Sequence, residues 1–271
     1  MLPTFVRRSL TLVAATGSAA AIALTGAGAA HAASSHYVAL GDSYSSGVGA
    51  GDYTSASGDC DISTNAYPYL WDGANAPASF SDEACSGATT TDVLDDQLGT
   101  LSSSTSLVSI TVGGDDVGFT SVMETCVLDS TSSCVSAVDN AETEAEDDLP
   151  AKLDTLYSAI SSDAPDAHVV VLGYPELYDL SESSSCVGLS TTDRTDLNQA
   201  ADTLDSVIAT QAEDYGFTFV DVRPYFSGHE ICDSNSYLHS LNWLDIDESY
   251  HPTSAGQADA YYPAFKAGVA E

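Results

Sequence analysis

Five short apolar runs are separated along the chain by longer segments in which apolar positions recur every three to four residues. The runs cover residues 36–42, 79–85, 107–112, 168–173 and 217–222. Short runs of this kind, bounded by turn residues and rich in β-branched or aromatic side chains, are typical of buried strands. We therefore predict five strands.

The segments between the runs have helical spacing. One helix is predicted over residues 193–215, with its apolar positions at Leu197, Ala201, Leu204, Ile208 and Ala212. A second is predicted from Cys134 to Ser162, where Pro150 should kink or divide it. Shorter helices are expected at 91–101, after Phe119, at Tyr67 and over 253–267. Strands alternating with helices predict a parallel sheet with helices on both faces, in one domain without internal repeats.

The first 32 residues have the pattern of an export signal. Arg7 and Arg8 precede an apolar stretch from Leu10 to Leu24, and Ala30-His31-Ala32 is a small-x-small cleavage site. The stretch is short and diluted by Gly, Ser and Thr, which favours a cleaved leader over a membrane anchor. Residues 33–271 then form the mature domain, and the export route, general or twin-arginine, stays open.

Acidic residues dominate the charge. The chain has 40 Asp and Glu against six Lys and Arg, a formal net charge of −34 at pH 7, and the leader carries two of the six basic residues. Such a surface repels nucleic acid and anionic membranes, so neither is expected as a partner. Its self-repulsion is screened by salt, which favours adaptation to high salt over a merely acidic secreted protein.

The candidate chemistry comes from the two ends of the chain. The first run ends in Gly41-Asp42-Ser43, which places Ser43 at the carboxyl end of a strand, where open α/β sheets hold their sites. A serine there is a nucleophile if a base lies within reach, and otherwise only a polar turn residue. The favoured base is His251, just before the last predicted helix. The rival bases are His36, His168, His229 and His239.

Four ordered blocks of the sequence resemble the GDSL, or SGNH, hydrolases. They are Gly41-Asp42-Ser43, residues 84–89 around Gly87, residues 112–119 and His251-Pro252. The similarity covers nearly all of the chain after the leader and is closest to secreted lipases, esterases and A1 phospholipases of filamentous actinobacteria. It implies a flavodoxin-like, three-layer α/β/α sandwich around a central five-stranded parallel sheet. The Gly-x-Ser-x-Gly elbow of α/β-hydrolases is absent, since Ser45 stands at the second glycine's place.

The resemblance also implies roles for single residues. Ser43 would be the nucleophile, His251 the base and Glu248 the third triad member, with Asp247 or a backbone carbonyl as alternatives. The backbone N–H groups of Ser43 and Gly87 would bind the oxyanion together with an asparagine side chain. Here Asp115 stands in place of that asparagine, and an ionised carboxylate accepts hydrogen bonds but does not donate them.

Six cysteines follow the leader, consistent with three disulfides in an oxidising compartment. Six cysteines allow 15 connectivities. The family resemblance and sequence proximity favour Cys60–Cys85, Cys126–Cys134 and Cys186–Cys232. No Cys-x-x-Cys pair is present, so a metal site is disfavoured.

The sequence thus predicts a secreted, monomeric serine carboxylic-ester hydrolase that cleaves lipid acyl esters without a cofactor or metal and without stable membrane insertion. A lipase, an esterase and a phospholipase A1 are all compatible with it. Two alternatives are a carbohydrate acetyl esterase on the same fold and a non-catalytic binding protein on a degraded scaffold. The second alternative is motivated by Asp115.

Overall fold

A sheet of five parallel strands forms the centre of the computed structural model, which describes residues 35–181 and 188–271. The strands are β1 (His36–Gly41), β2 (Ser79–Asp82), β3 (Leu107–Thr111), β4 (His168–Leu172) and β5 (Thr218–Val220). Their order is β2-β1-β3-β4-β5 and every pairing is parallel, which confirms the five predicted strands. The chain changes direction across the sheet between β1 and β3, and open sheets bind ligands at such a switch point.

The α-helical segments between and after the strands flank the sheet. They are α1 (Ser43–Ser46), α2 (Tyr67–Asn75), α3 (Thr90–Asp92), α4 (Phe119–Leu128), α5 (Thr131–Asp147), α6 (Leu149–Asp163), α7 (Thr191–Asp214), α8 (Arg223–Phe226), α9 (Ser254–Gly256) and α10 (Tyr262–Val269). Val93–Gln97 and Gln257–Tyr261 are π-helical, and Gly58–Cys60 and Leu98–Thr100 are 3₁₀ turns. The result is the predicted three-layer sandwich.

The predicted long helix is divided in two. α5 ends at Asp147 and α6 begins at Leu149, with Pro150 in its first turn. A proline at this position loses no helical hydrogen bond, because the first N–H groups of a helix have no intrahelical acceptor. The division lets Leu149 turn inward and bury its side chain.

One face of the sheet is covered by an aromatic cluster. Tyr37 of β1 packs against Trp71 and Phe265, and Tyr67 packs against Phe265 as well. The family resemblance would place the segment around Tyr67 and Trp71 at the border of the acyl pocket, whereas aromatic side chains more often pack in a core. Both side chains are buried in the core. On the same face, Gly268 lets α10 approach closely, since a Cβ there would lie 2.6 Å from Val170 and 2.7 Å from Val220.

The disulfide prediction is confirmed for the two bridges that the structure describes, Cys60–Cys85 and Cys126–Cys134. Cys232 is also disulfide-bonded. Its predicted partner Cys186 lies outside the described residues, so that pairing stays a prediction.

The predicted leader, residues 1–32, also lies outside the described residues. Over residues 35–181 and 188–271, no helix combines the length and the apolar character needed to cross a bilayer.

Candidate active site

The Ser43 turn begins where β1 meets β3. Gly41 has φ +124°, and a Cβ at this position would collide with the Thr111 carbonyl. Glycine is therefore required for the chain to turn so closely against β3. Asp42 follows as the N-cap of α1, and its side chain accepts a hydrogen bond from the Tyr44 N–H at 3.0 Å. Ser43 is the first residue of the helix.

Two buried glutamines hold this turn from either side. Gln97 clamps the Gly41 backbone, accepting from its N–H at 2.7 Å and donating to its carbonyl at 2.8 Å. Gln257 donates to the Tyr44 carbonyl at 3.0 Å. Neither glutamine was predicted from the sequence. The signal that could have found them is a glutamine at an apolar position of a helical pattern, because a buried amide needs hydrogen-bond partners.

Ser43 and His251 lie together although 208 residues separate them. The Ser43 Oγ is 2.7 Å from Nε2 of His251. The Nδ1 atom lies 3.1 Å from the Ser249 carbonyl, which can only accept, so Nδ1 carries the proton and Nε2 is free to accept one from the serine. Desolvation of the imidazole lowers the pKa of His251 to about 4, so the ring is neutral at neutral pH.

Glu248 does not take the triad position predicted for it. Its carboxylate accepts a hydrogen bond from the Tyr53 hydroxyl at 3.0 Å, and that hydroxyl accepts from the Gly49 N–H at 2.9 Å. The reason is the backbone between Glu248 and His251. Tyr250 has φ +67°, which turns the Ser249 carbonyl toward the ring. Of the alternatives left open by the sequence, the geometry fits a backbone carbonyl and not the side chain of Glu248.

The other four candidate histidines contact different groups. His36 bonds Ser79, His168 bonds Thr218 and the His229 ring stacks on Tyr237. His239 lies near the site, but its Nε2 is 2.8 Å from the Gly49 carbonyl. Within the described residues, His251 is the only one of the five candidate histidines that hydrogen-bonds to Ser43.

Ser43, Gly87, Asp115 and His251 all line one cavity. The candidate donors to an oxyanion are the backbone N–H groups of Ser43 and Gly87 and the side chain of Asp115. In the described part of the chain, neither of the two backbone N–H groups has a hydrogen-bond acceptor. The arrangement leaves two donors available to a substrate oxygen.

The Asp115 turn is fixed by its neighbour Asp116. The Asp116 carboxylate accepts hydrogen bonds from the Thr90 N–H at 2.8 Å and hydroxyl at 2.7 Å. Lys152 of α6 lies 3.4 Å from the same carboxylate. Because Thr90 begins the helix that follows Gly87, these contacts tie the glycine block to the Asp115 block.

Asp115 and Asp42 have neighbouring carboxyl groups, of which Asp42 is buried and Asp115 is partly buried. Burial raises the pKa of Asp115 to about 7, with the charge of Asp42 as the next cause. The Asp42 carboxylate accepts hydrogen bonds from the Tyr44 N–H, the Thr111 hydroxyl and the Tyr174 hydroxyl, whereas the described residues offer none to the Asp115 carboxyl group. Hydrogen bonds to a carboxylate favour its ionised form, so we place the proton of this pair on Asp115.

Tyr174 is a further residue that the sequence analysis missed. Its hydroxyl donates to Asp42 and accepts from the Gly114 N–H at 3.2 Å, so it joins the Ser43 turn to the Asp115 turn. Its place in the sequence was a usable signal. Tyr174 follows β4 by one glycine, at the same edge of the sheet as Ser43.

The cavity beside Ser43 has a volume of about 820 Å³. Part of its wall comes from α4, α5 and α7 and is mostly apolar, with Phe119, Val122, Met123, Ala141 and Leu204 among the lining residues beside Glu124 and Glu142. This pocket was not predicted, because its walls are helices distant in sequence. In the described ranges, no group of three His, Cys, Asp or Glu side chains is placed to hold a metal ion.

Lipases and a phospholipase A1 of Streptomyces are similar to this chain in sequence and in structure. The chain is 57% identical over 252 residues to Lipase 1 of Streptomyces coelicolor, covering 93% of each chain. The phospholipase A1 structure from Streptomyces albidoflavus is 54% identical with a TM-score of 0.85, covering 87% of this chain and all of that one. An extracellular lipase structure from Streptomyces rimosus is 49% identical, with the same TM-score and coverage.

The family model also covers most of the chain. The sequence pattern of the GDSL-like lipase/acylhydrolase family matches residues 39–258, a range that contains the Ser43 turn, Gly87, Asp115 and His251. Together with the five-stranded parallel sheet, this match shows that the chain is a member of the GDSL-like lipase/acylhydrolase family.

Proposed function

We propose that this protein is a secreted serine hydrolase of lipid acyl esters in which Ser43 and His251 carry out the reaction. The observation that carries the proposal is the 2.7 Å contact between Ser43 Oγ and His251 Nε2 beside a cavity of about 820 Å³ that has apolar side chains in its wall. Relatives named as a lipase and as a phospholipase A1 support the same substrate class.

The reaction follows from this geometry. Ser43 Oγ attacks the ester carbonyl while His251 Nε2 takes its proton, and the ring then gives that proton to the leaving alcohol. The acyl group is left on Ser43. Water, deprotonated by the same nitrogen, attacks the acyl-enzyme and releases the fatty acid. The carbonyl of Ser249 holds the ring in the required tautomer throughout.

Charge on the substrate oxygen is stabilised by the two free backbone donors, Ser43 N–H and Gly87 N–H, and by Asp115 when it is protonated. A protonated carboxyl can donate a hydrogen bond, as the asparagine amide of the family does. This role for Asp115 disfavours the alternative of a non-catalytic protein on a degraded scaffold. Because its pKa is raised to about 7, the carboxyl group is protonated below that pH and can then donate a hydrogen bond.

The cavity favours long acyl chains over acetyl groups. An acetyl group would leave most of the 820 Å³ apolar space unfilled, whereas burying each further methylene stabilises the complex by about 0.8 kcal/mol. The size of the cavity therefore disfavours a carbohydrate acetyl esterase.

A panel of substrates tests the function. We expect kcat/KM on p-nitrophenyl esters to rise from acetate to decanoate, because the added methylenes fill the cavity beside Ser43. The measurement is initial rates on the ester series and, in parallel, acetate release from acetylated xylan. Faster turnover of the acetylated sugar than of every longer ester would contradict the proposal.

Export and oligomeric state belong to the same proposal. We infer that residues 1–32 are a cleaved leader and that residues 33–271 form a monomeric catalytic domain in the extracellular medium. The two described disulfides are consistent with an oxidising compartment, and the Streptomyces rimosus relative is named as extracellular. A net charge of −34 repels nucleic acid, so we expect no nucleic-acid partner.

We also infer that the protein is adapted to salt. In the described ranges, ion pairs use only Lys152 and Arg223 as cations, so most of the acidic residues have no cationic partner. Their mutual repulsion acts against the compact state.

We expect the melting temperature to rise as NaCl increases from 0.1 M to 1 M at fixed pH, because the screening length falls from about 10 Å to about 3 Å. Thermal unfolding followed by circular dichroism measures it. A control variant replaces Glu144, Glu146 and Asp147, exposed on α5, by their amides. Its melting temperature should depend less on salt. A flat curve for the unmodified protein would refute the charge argument.

A further inference from the structure

Exposed apolar side chains cluster at the mouth of the active-site cavity. Trp243, Leu244 and Ile246, here called the mouth patch, are 68%, 98% and 53% exposed. Trp243 and Ile246 line the cavity, and Leu128, 60% exposed at the end of α4, lines it too. Most large hydrophobic side chains that are exposed in the described ranges therefore surround one opening.

The loop that carries the mouth patch has a defined conformation. The Asn242 N–H donates to the Ser249 hydroxyl at 2.9 Å, and the Leu244 N–H donates to the Asn242 side chain at 3.1 Å. Ser249 in turn donates its N–H to the Ile246 carbonyl at 3.1 Å. Because the Ser249 carbonyl contacts His251, the patch is held at a fixed position beside the catalytic histidine.

Carboxylates stand beside the mouth patch. Asp59 and Asp61 flank Cys60 on the opposite loop, and Asp245 and Asp247 alternate with the apolar residues of the patch itself. Burial and then the charges of Asp247, Asp59 and Asp245 raise the pKa of Asp61, so the two acidic loops face each other. No lysine or arginine is among the residues that line the cavity.

We propose that the mouth patch and these carboxylates dock the enzyme on the surface of a zwitterionic phospholipid bilayer, from which the ester enters the cavity. Apolar side chains this exposed insert among acyl chains and headgroups, where their burial is favourable. The outermost group of a choline headgroup is a quaternary ammonium, which carboxylates attract and the face of a tryptophan binds. An anionic headgroup would meet only negative charge. The inference rests on the proposed function.

Binding is measured on the Ser43→Ala variant, which leaves the lipid intact. The chain has two tryptophans, and Trp71 is buried, so a change in emission on adding vesicles reports Trp243. We expect a blue shift with phosphatidylcholine vesicles and none with phosphatidylglycerol vesicles at 0.1 M NaCl. Adding Leu244→Ser should weaken binding to phosphatidylcholine by at least about tenfold, because one fully exposed leucine loses its burial in the lipid. An equal shift on both vesicles would overturn the headgroup preference.

Hydrolysis separates this inference from the proposed function. In the otherwise unmodified enzyme, Leu244→Ser should keep its turnover of soluble p-nitrophenyl butyrate and lose about tenfold on phosphatidylcholine vesicles. Leu180→Ser is the matched control, since Leu180 is an exposed leucine that does not belong to the mouth patch, and it should change neither rate. Unchanged vesicle hydrolysis by Leu244→Ser would overturn the docking surface. No turnover of the soluble ester by the unmodified enzyme would instead overturn the proposed function.

Discussion

Replacing Ser43 by alanine is expected to abolish ester hydrolysis while the fold persists. Within residues 35–181 and 188–271, the Ser43 hydroxyl is the only nucleophile that hydrogen-bonds to His251 Nε2. Loss of the nucleophile in comparable serine hydrolases costs on the order of 10⁶ in kcat. The measurement is kcat on a soluble ester, with the melting temperature as the test of folding. One lost hydrogen bond is worth about 1 kcal/mol, which lowers the melting temperature by only about 2–4 °C in a domain of this size.

Two control variants make this result specific. Ser46→Ala removes a hydroxyl from the same short helix and should retain activity. Among the described residues that hydroxyl hydrogen-bonds only to the Ser43 carbonyl, at 3.4 Å. Glu248→Gln should also retain most of its activity, because the Ser249 carbonyl holds His251. A folded Ser43→Ala protein with near-native turnover would remove Ser43 from the mechanism. A loss of several orders of magnitude in Glu248→Gln would restore Glu248 to the triad.

Asp115→Asn is expected to raise kcat above pH 7, with a gain that shrinks as pH falls. The pKa of Asp115 is raised to about 7, so the group is a neutral donor below that pH and an ionised acceptor above it. The amide is a donor at every pH. One oxyanion donor is worth about 10²–10³ in kcat, which sets the upper limit of the gain at pH 9. At pH 5 the two proteins should be nearly equal.

The comparison is interpretable because the base does not titrate in the same range. Desolvation lowers the pKa of His251 to about 4, so the imidazole stays neutral from pH 5 to pH 9. Asp115→Ala is the control, since it removes the charge without supplying a donor, and it should be slower than Asp115→Asn at pH 9. If Asp115→Asn is no faster anywhere in this range, the carboxyl does not contact the oxyanion.

The fold was predictable because its signals are local. A strand buried on both faces needs a continuous apolar run, as at Val169, Val170 and Val171, and each strand was predicted to within a few residues. The nucleophile turn was equally readable, because only glycine fits where β1 turns against Thr111. The last helix, predicted over 253–267, is a continuous helical segment from Ser254 to Val269, in which π-helical Gln257–Tyr261 joins α9 to α10.

The alternatives that the sequence left open concern contacts across the chain. Glu248 stands at the family's spacing from His251, but the Ser249 carbonyl lies against the ring and the backbone at Tyr250 is left-handed. The sequence allowed the aromatic residues Tyr67 and Trp71 either to border the acyl pocket or to pack in the core. They pack in the core because β1 and α10 bring Tyr37 and Phe265 against them.

The sequence by itself determined the order of strands and helices, the acidic surface and the residues able to do chemistry, because composition and spacing are properties of single segments. The tertiary structure decided which of those residues meet. It placed Ser43 against His251, buried Asp115 beside Asp42 and built an apolar cavity from α4, α5 and α7. These features depend on packing between segments distant in the chain, and both the pKa of a carboxyl and the shape of a cavity are set by that packing.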